Sequence, residues 1–261
     1  MKLLKQDKYN MHYYVSGDKG RETIVFLHAA FSDHTCFDGQ RDFFARDFYV
    51  ITVDLLGHGL SKPGKAKDKI DKSVEHIFEI LKQEGISSAH IVGVSMGSLI
   101  AQYFALKYPS QTLSLTALGG YNINHINKEI NRSQRKEIVK WVFKIIFSMD
   151  AFRRYVSSVS AIYPESRQRI YASSKGFTRK SLIVMSGMGN IIAEREKTPR
   201  PYPLLILVGE KDIEPAKEAS RQWHEEEPES DFQIIENAGH LANMDNPELF
   251  NKILSNSILK R

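Results

Sequence analysis

The stretch His90-Ile91-Val92-Gly93-Val94-Ser95-Met96-Gly97-Ser98 admits few backbone paths. A β-branched apolar run ends in Gly-x-Ser-x-Gly, and a segment of helical composition follows from Leu99 to Tyr108, closed by Pro109. Strand, tight turn, helix is the context of a nucleophile elbow, in which a serine is held on a strained turn at a sheet edge. Gly93 and Gly97 flank the serine, where a Cβ would crowd neighbouring backbone. A serine hydroxyl is a weak nucleophile until a nearby base takes its proton. The five residues alone carry little weight, because Gly and Ser are common in loops. Ser95 therefore directs attention to what the rest of the chain supplies.

The remaining pattern is one of alternation. Two short strands are predicted near Leu3–Lys5 and His12–Val15, and Glu22–His28 reads as an apolar strand buried on both faces. A helix over Asp38–Arg46 and a strand over Tyr49–Asp54 come next, leading into the turn-rich Leu55–Gly64. Val74, Ile77, Phe78 and Leu81 fall at i, i+3, i+4 and i+7, so Ile70–Glu84 reads as a helix that Gly85 ends. Beyond the elbow, a strand over Leu113–Leu118 stops at Gly119-Gly120. The rhythm then breaks from Tyr121 to Arg200, a stretch that reads as helical and carries sixteen Lys and Arg against six Asp and Glu. It resumes with an apolar strand within Tyr202–Asp212, a helix over Pro215–Glu226, a strand over Asp231–Ile235 and a last helix over Pro247–Leu259. Strands alternating with helices imply parallel βαβ units. The expected fold is α/β, a mostly parallel central sheet with helices on both faces. Residues 1–120 and 201–261 form its core, and 121–200 a helical insertion.

Composition narrows the function classes. In 261 residues, 42% hydrophobic, no apolar run reaches the roughly 18 residues of a membrane span. Met1-Lys2-Leu3-Leu4-Lys5-Gln6-Asp7 carries no secretory signal pattern, and Cys36 is the only cysteine, so a cytoplasmic location is expected. A lone cysteine reads as a buried small apolar residue rather than a nucleophile. The formal charge of +5 comes without a basic, aromatic-interleaved module, so no nucleic-acid partner is expected. No His, Cys and carboxylate spacing suits a metal, no GxxxxGK phosphate loop is present, and no cofactor is expected.

Asp212 ends an apolar strand and His240 follows the next one. With Ser95 they give the order Ser, Asp, His, each at the carboxyl end of a strand, the edge where open α/β sheets carry their sites. At this point the chain resembles an α/β-hydrolase, a small serine esterase with a helical cap. The resemblance covers nearly the whole chain. It is carried by Gly93-Val94-Ser95-Met96-Gly97, by Val208-Gly209-Glu210-Lys211-Asp212, by Asn237-Ala238-Gly239-His240 and by Asp54-Leu55-Leu56-Gly57-His58-Gly59-Leu60-Ser61. It implies a triad of Ser95, Asp212 and His240, with His240 as general base and Asp212 holding the imidazole. It also implies an oxyanion hole from the backbone N–H groups of Ala30 and Met96. The family's usual His-Gly is here His28-Ala29; backbone donors tolerate a change of side chain, but alanine disfavours positive φ, which leaves two alternatives, the hole kept at Ala30 or its donor shifted by one residue.

Other polar residues have simpler expected roles. His28 reads as a brace for its loop. Asp54, the rival acid, reads as a carboxylate tying down backbone N–H groups. For His34 and His58 an exposed loop position is the simple reading, and a place facing the pocket the alternative. In the insertion, Arg132, Lys136, Lys140 and Lys144 form a basic stripe, opposed by Ile138, Val139, Trp141, Val142, Ile145 and Ile146. A cap helix with a solvated lysine face is the simple reading; a surface for acidic, lipid-like or membrane partners is the sharper one. Trp141, Phe143, Phe147, Phe152 and Tyr155 suit an apolar acyl pocket and suit core packing equally. The expected partner is a small ester-like molecule, with membrane association disfavoured. The expected function is a carboxylesterase acting through an acyl-enzyme on small to medium acyl chains. The alternatives are the same scaffold cleaving a diketone C–C bond, lactone or thioester, and a non-hydrolytic ligand-binding protein.

Overall fold

The structure, a computed structural model, describes residues 1–6, 9–64, 67–125, 139–142, 144–145 and 147–259. Eight strands form one sheet: β1 (Lys2–Lys5), β2 (Asn10–Ser16), β3 (Thr23–Leu27), β4 (Tyr49–Val53), β5 (Ala89–Val94), β6 (Thr112–Leu118), β7 (Leu204–Gly209) and β8 (Asp231–Ile235). Their spatial order is β1-β2-β4-β3-β5-β6-β7-β8. The pairs β1–β2 and β2–β4 are antiparallel and all others parallel, so the predicted mostly parallel sheet is present.

Period-2 alternation divides the core in two. Along β3, Val25 and Leu27 join one apolar cluster, and Ile24 and Phe26 the other. Along β7, Leu204 and Ile206 face the first, and Leu205 and Leu207 the second. The first cluster is completed by α2 (Ser73–Glu84), α3 (Met96–Lys107) and Trp223 of α7 (Glu214–Glu226). The second is completed by α1 (Asp38–Phe44) and α8 (Pro247–Leu259). Helices thus cover both faces, and the central strands are buried along nearly their whole length and mostly apolar, because neither face meets water. Each fully buried Leu, Ile or Phe contributes about 1.5–3 kcal/mol.

The antiparallel edge is fastened to α2 by Glu84. Its carboxylate accepts from Lys2 Nζ (2.7 Å), Tyr13 Oη (2.6 Å) and Tyr49 Oη (2.9 Å). Burial alone would raise the Glu84 pKa, but these donors outweigh it and pull the pKa down to about 2.

Between β6 and β7 a cap-like helical region spans 139–190, with α4 (Met149–Ser160), α5 (Pro164–Ser173) and α6 (Arg179–Met185). Predicted helix beyond 190 is absent. Pro199, Pro201 and Pro203 break the helical ladder. The chain instead pairs by Ala193 N–H to Ile123 O and Arg195 N–H to Asn124 O. Of the predicted basic stripe, Arg132 and Lys136 lie outside the described residues, as do Ile138, Phe143 and Ile146. Lys144 Nζ sits 4.8 Å over the Tyr155 ring. Among the described residues no helix is long and apolar enough to cross a membrane.

Strand order also locates a crevice. After β3 the chain turns to α1 on one face, and after β5 it turns to α3 on the other. The two loops diverge at the carboxyl ends of neighbouring strands, the topological switch point where such sheets bind ligands. Ser95 and Ala30 lie in these two loops.

Candidate active site

The elbow is built as the glycine spacing predicts. Ser95 follows β5 at φ +53°, ψ −118°, and its N–H donates to Leu118 O (2.7 Å). A Cβ on Gly93 would lie 2.2 Å from Gly97 O, and one on Gly97 would lie 2.0 Å from Leu27 O. No side chain fits either gap. One boundary differs from expectation: α3 begins at Met96 rather than Leu99, directly after the serine.

The structure brings Ser95, Asp212 and His240 together across long sequence separations. His240 Nε2 is 2.8 Å from Ser95 Oγ, and His240 Nδ1 is 2.8 Å from Asp212 Oδ2. Asp212 Oδ1 accepts from the Ile213 N–H at 2.8 Å, and the side chain is 2% exposed. A buried carboxylate accepts only, so Nδ1 carries the proton and Nε2 presents its lone pair to the serine hydroxyl. Burial pushes the His240 pKa down, but the charge and hydrogen bond of Asp212 outweigh it and leave the pKa raised.

Among the described residues three non-glycine residues have positive φ: Phe31 (+67°), Ser95 (+53°) and Asn237 (+53°). They sit in the loops after β3, β5 and β8, the loops that meet at this site. Strained backbone gathers at such positions because the surrounding structure over-determines it.

The loop after β3 takes a path the sequence did not disclose. Positive φ falls on Phe31, not on Ala29, so the alanine in place of glycine is accommodated without left-handed backbone. Ser32 N–H donates to Ala29 O (3.3 Å), closing a turn with Phe31 at its third position. A large residue there costs about 1–2 kcal/mol. Its ring stands edge-on to Trp141, Phe152 and Phe177, with centroids 5.0, 4.9 and 4.9 Å away. Edge-to-face pairs contribute about 0.5–1.5 kcal/mol each, enough to offset that cost. These cap aromatics therefore pack around Phe31 as core. Phe147, by contrast, is exposed.

His28 braces the loop as expected. Its Nε2 accepts from Leu55 N–H (3.0 Å), and its Nδ1–H donates to Ala29 O (2.8 Å). Burial holds its pKa down, so both roles belong to the neutral ring. Asp54 binds its own loop: it accepts from the N–H groups of His34 (3.0 Å) and Leu60 (2.8 Å) and from His34 Nδ1 (2.8 Å). Burial alone would raise its pKa, but these hydrogen bonds together outweigh it and hold the pKa below the ordinary carboxylate value. The reading of His34 and His58 as exposed loop histidines needs correction. His34 is tied to Asp54 and stacks on Tyr14 with centroids 3.5 Å apart. His58 is fully buried between His28 and Phe177, and burial pushes its pKa down to about 3. The cap roofs this loop, since Val184 and Gly176 pack on Gly57 and Gly59, and so excludes the water expected there. Cys36 is buried, and burial raises its thiol pKa.

Asp245 was not singled out from sequence. Its Oδ2 accepts from Gly239 N–H (2.9 Å), beside His240, and from Ile162 N–H (3.0 Å) in the cap. Leu241 N–H donates to Ser160 O (2.8 Å) across the same seam. An aspartate five residues after a histidine has no local signature for this. Among the described residues no three His, Cys, Asp or Glu side chains converge where a metal ion could be held.

The chain matches the alpha/beta hydrolase family over residues 24–253, and it belongs to that family. The (E)-2-((N-methylformamido)methylene)succinate hydrolase of Acinetobacter baylyi is 23% identical over 253 residues, covering 93% of this chain and 92% of that one. Among solved structures, an esterase from Thermogutta terrifontis superposes with a TM-score of 0.83 at 20% identity, covering 100% of this chain and 99% of the other. A Bacillus megaterium epoxide hydrolase superposes at 0.79 and 22% identity, with all of both chains covered.

Proposed function

We propose that this protein is a serine hydrolase that cleaves carboxylic esters of small to medium acyl chains. The observation that carries the reading is the His240 imidazole, 2.8 Å from both Ser95 Oγ and Asp212 Oδ2. Ser95 Oγ attacks the ester carbonyl while His240 Nε2 takes its proton. Asp212 holds the tautomer and stabilises the imidazolium. The oxyanion is bound by the N–H groups of Met96 and Ala30. Among the described residues neither donates to a protein acceptor, so both remain free for this task. His240 then protonates the leaving alcohol. Water, deprotonated by His240, releases the acid and restores Ser95.

Residues 121–200 act as the cap that shapes the substrate space, and 1–120 with 201–261 act as the catalytic body. Epoxide hydrolysis on this scaffold is disfavoured, because the resemblance would require an aspartate where Ser95 stands. A non-hydrolytic binding protein is disfavoured because no triad member is missing.

The decisive experiment is labelling with a fluorophosphonate, with the adduct mapped by mass spectrometry. The adduct is expected on Ser95 and absent from Ser95→Ala. Folded protein that stays unlabelled, or a Ser95→Ala variant that still hydrolyses aryl esters, would overturn the proposal. Aryl esters of increasing chain length, set against lactones, thioesters and diketones, identify the bond cleaved; turnover confined to the last three would refute the ester assignment.

A further inference from the structure

We infer that Phe31 is a positioning residue for the oxyanion loop, held in its working conformation by the cap. The inference rests on the role proposed above for the Ala30 N–H. In the turn Ala29-Ala30-Phe31-Ser32, the first peptide is fixed from behind. Its carbonyl, Ala29 O, accepts from His28 Nδ1 (2.8 Å) and from Ser32 N–H (3.3 Å). A trans peptide is planar, so fixing that carbonyl aims the Ala30 N–H the opposite way. The central peptide, Ala30–Phe31, has two orientations in such turns. Positive φ at the third position selects one, and negative φ turns the peptide over.

The observed φ of +67° at Phe31 is the choice a side chain of this size opposes. Nothing in the local sequence supplies a glycine or asparagine to favour it. What holds it is the ring. Phe31 is 3% exposed, and its three edge-to-face partners, Trp141, Phe152 and Phe177, all come from the cap. Phe152 and Phe177 are themselves buried, so the ring is enclosed by close-packed side chains. The cap thus grips a side chain one residue from the proposed donor. Released, the central peptide turns over, and the Ala30 carbonyl and Phe31 N–H exchange faces. A carbonyl oxygen brought toward a developing oxyanion opposes the charge that the Ala30 N–H stabilises. The backbone orientation, rather than the ring's contact with substrate, is the functional output.

Two substitutions at one position separate this role from core packing. Phe31→Ala and Phe31→Gly both remove the ring, but glycine accepts positive φ and alanine resists it. Phe31→Ala is expected to lower kcat toward aryl esters by up to about 10²-fold, because the Ala30 N–H stays in place but the turned carbonyl opposes the charge it stabilises, a loss no larger than that of removing the donor itself, with KM near wild type. Phe31→Gly is expected to recover about tenfold of that loss, although its melting temperature is no higher. Equal kcat for the two variants, or a loss confined to KM, would overturn the inference. If neither variant folds, Phe177→Leu serves. It keeps apolar volume and removes one edge-to-face contact from the socket, and a fall in kcat with KM unchanged supports the inference. Wild-type kcat in folded Phe177→Leu would overturn it. Fluorophosphonate labelling of the wild-type protein keeps the two proposals apart. No adduct on Ser95 sinks the serine hydrolase reading itself, whereas labelled Ser95 with equal kcat in the two Phe31 variants sinks only the role of Phe31.

Discussion

Gly119 offers a test of the His240 placement at a residue with no chemical role of its own. It follows β6 at φ +62°, and a Cβ there would lie 3.0 Å from His240 Cε1 and 3.2 Å from Nδ1. Carbon atoms rest at about 3.5–4.0 Å, so alanine would press on the ring by roughly half an ångström. The ring has little freedom to yield, since its two nitrogens hold 2.8 Å contacts to Ser95 and Asp212. A misplacement of about 1 Å in a catalytic group can cost about 10²-fold, so half that displacement is expected to lower kcat about tenfold. Positive φ adds a separate cost of about 1–2 kcal/mol in stability. At this chain length that lowers the melting temperature by about 2–8 °C. Gly85 supplies the control. It has φ +70° and nothing within 4 Å of its Cβ position, so Gly85→Ala carries the backbone cost without touching the site. Steady-state hydrolysis of an aryl acetate and thermal melts by circular dichroism read both quantities. The expected result is a similar fall in melting temperature for the two variants, with kcat reduced only in Gly119→Ala. Wild-type kcat in Gly119→Ala, or an equal kcat loss in Gly85→Ala, would refute the reasoning.

Three further predictions follow from charges on the structure. In the proposed mechanism only the neutral His240 ring accepts the serine proton, and its raised pKa means that kcat/KM should fall as pH drops through a value above 6.5; Asp212→Asn should move that limb to lower pH and cut kcat on the order of 10⁴-fold, as a pH–rate profile would read. Glu84→Ala leaves Tyr13 and Tyr49 without their acceptor and should cost about 2–3 kcal/mol at pH 7 in urea unfolding. The depressed Glu84 pKa places its charge-dependent stability above the ordinary carboxylate pKa of 4.5 and removes it as pH falls toward 2, so the gap to wild type should narrow across that window; a constant gap would argue against it. Asp245→Ala should lower stability by about 2 kcal/mol, since the Gly239 and Ile162 N–H groups lose their shared acceptor, and an unchanged thermal melt would count against that fastening.

The sheet was legible because period and burial agree along the chain. Each central strand is a mostly apolar run of five to seven residues bounded by turn residues, the pattern of a strand covered on both faces. The Ser95, Asp212 and His240 assembly was legible for a related reason: each stands one to five residues past a parallel strand (β5, β7 and the edge strand β8), and parallel strands deliver their carboxyl ends to one edge. Boundaries set by tertiary contact were not. His58 in the turn-rich Leu55–Gly64 reads from sequence as an exposed loop histidine, yet Gly57 and Gly59 let Val184 and Gly176 of the cap pack closely, and His58 is sealed beneath.

The loop after β3, for which an oxyanion role is proposed, marks the limit most clearly. Local propensity puts positive φ on glycine, so His28-Ala29-Ala30-Phe31 gives a reader no residue on which to locate the turn. The structure locates it on Phe31, the least suited of the four by size. Its conformation is set by Trp141, Phe152 and Phe177, more than a hundred residues downstream. A glycine would carry the information for this backbone within itself; a phenylalanine passes it to whatever grips the ring. The departure from the family's His-Gly step is therefore compensated across space, and the region that roofs the site becomes part of what shapes its floor.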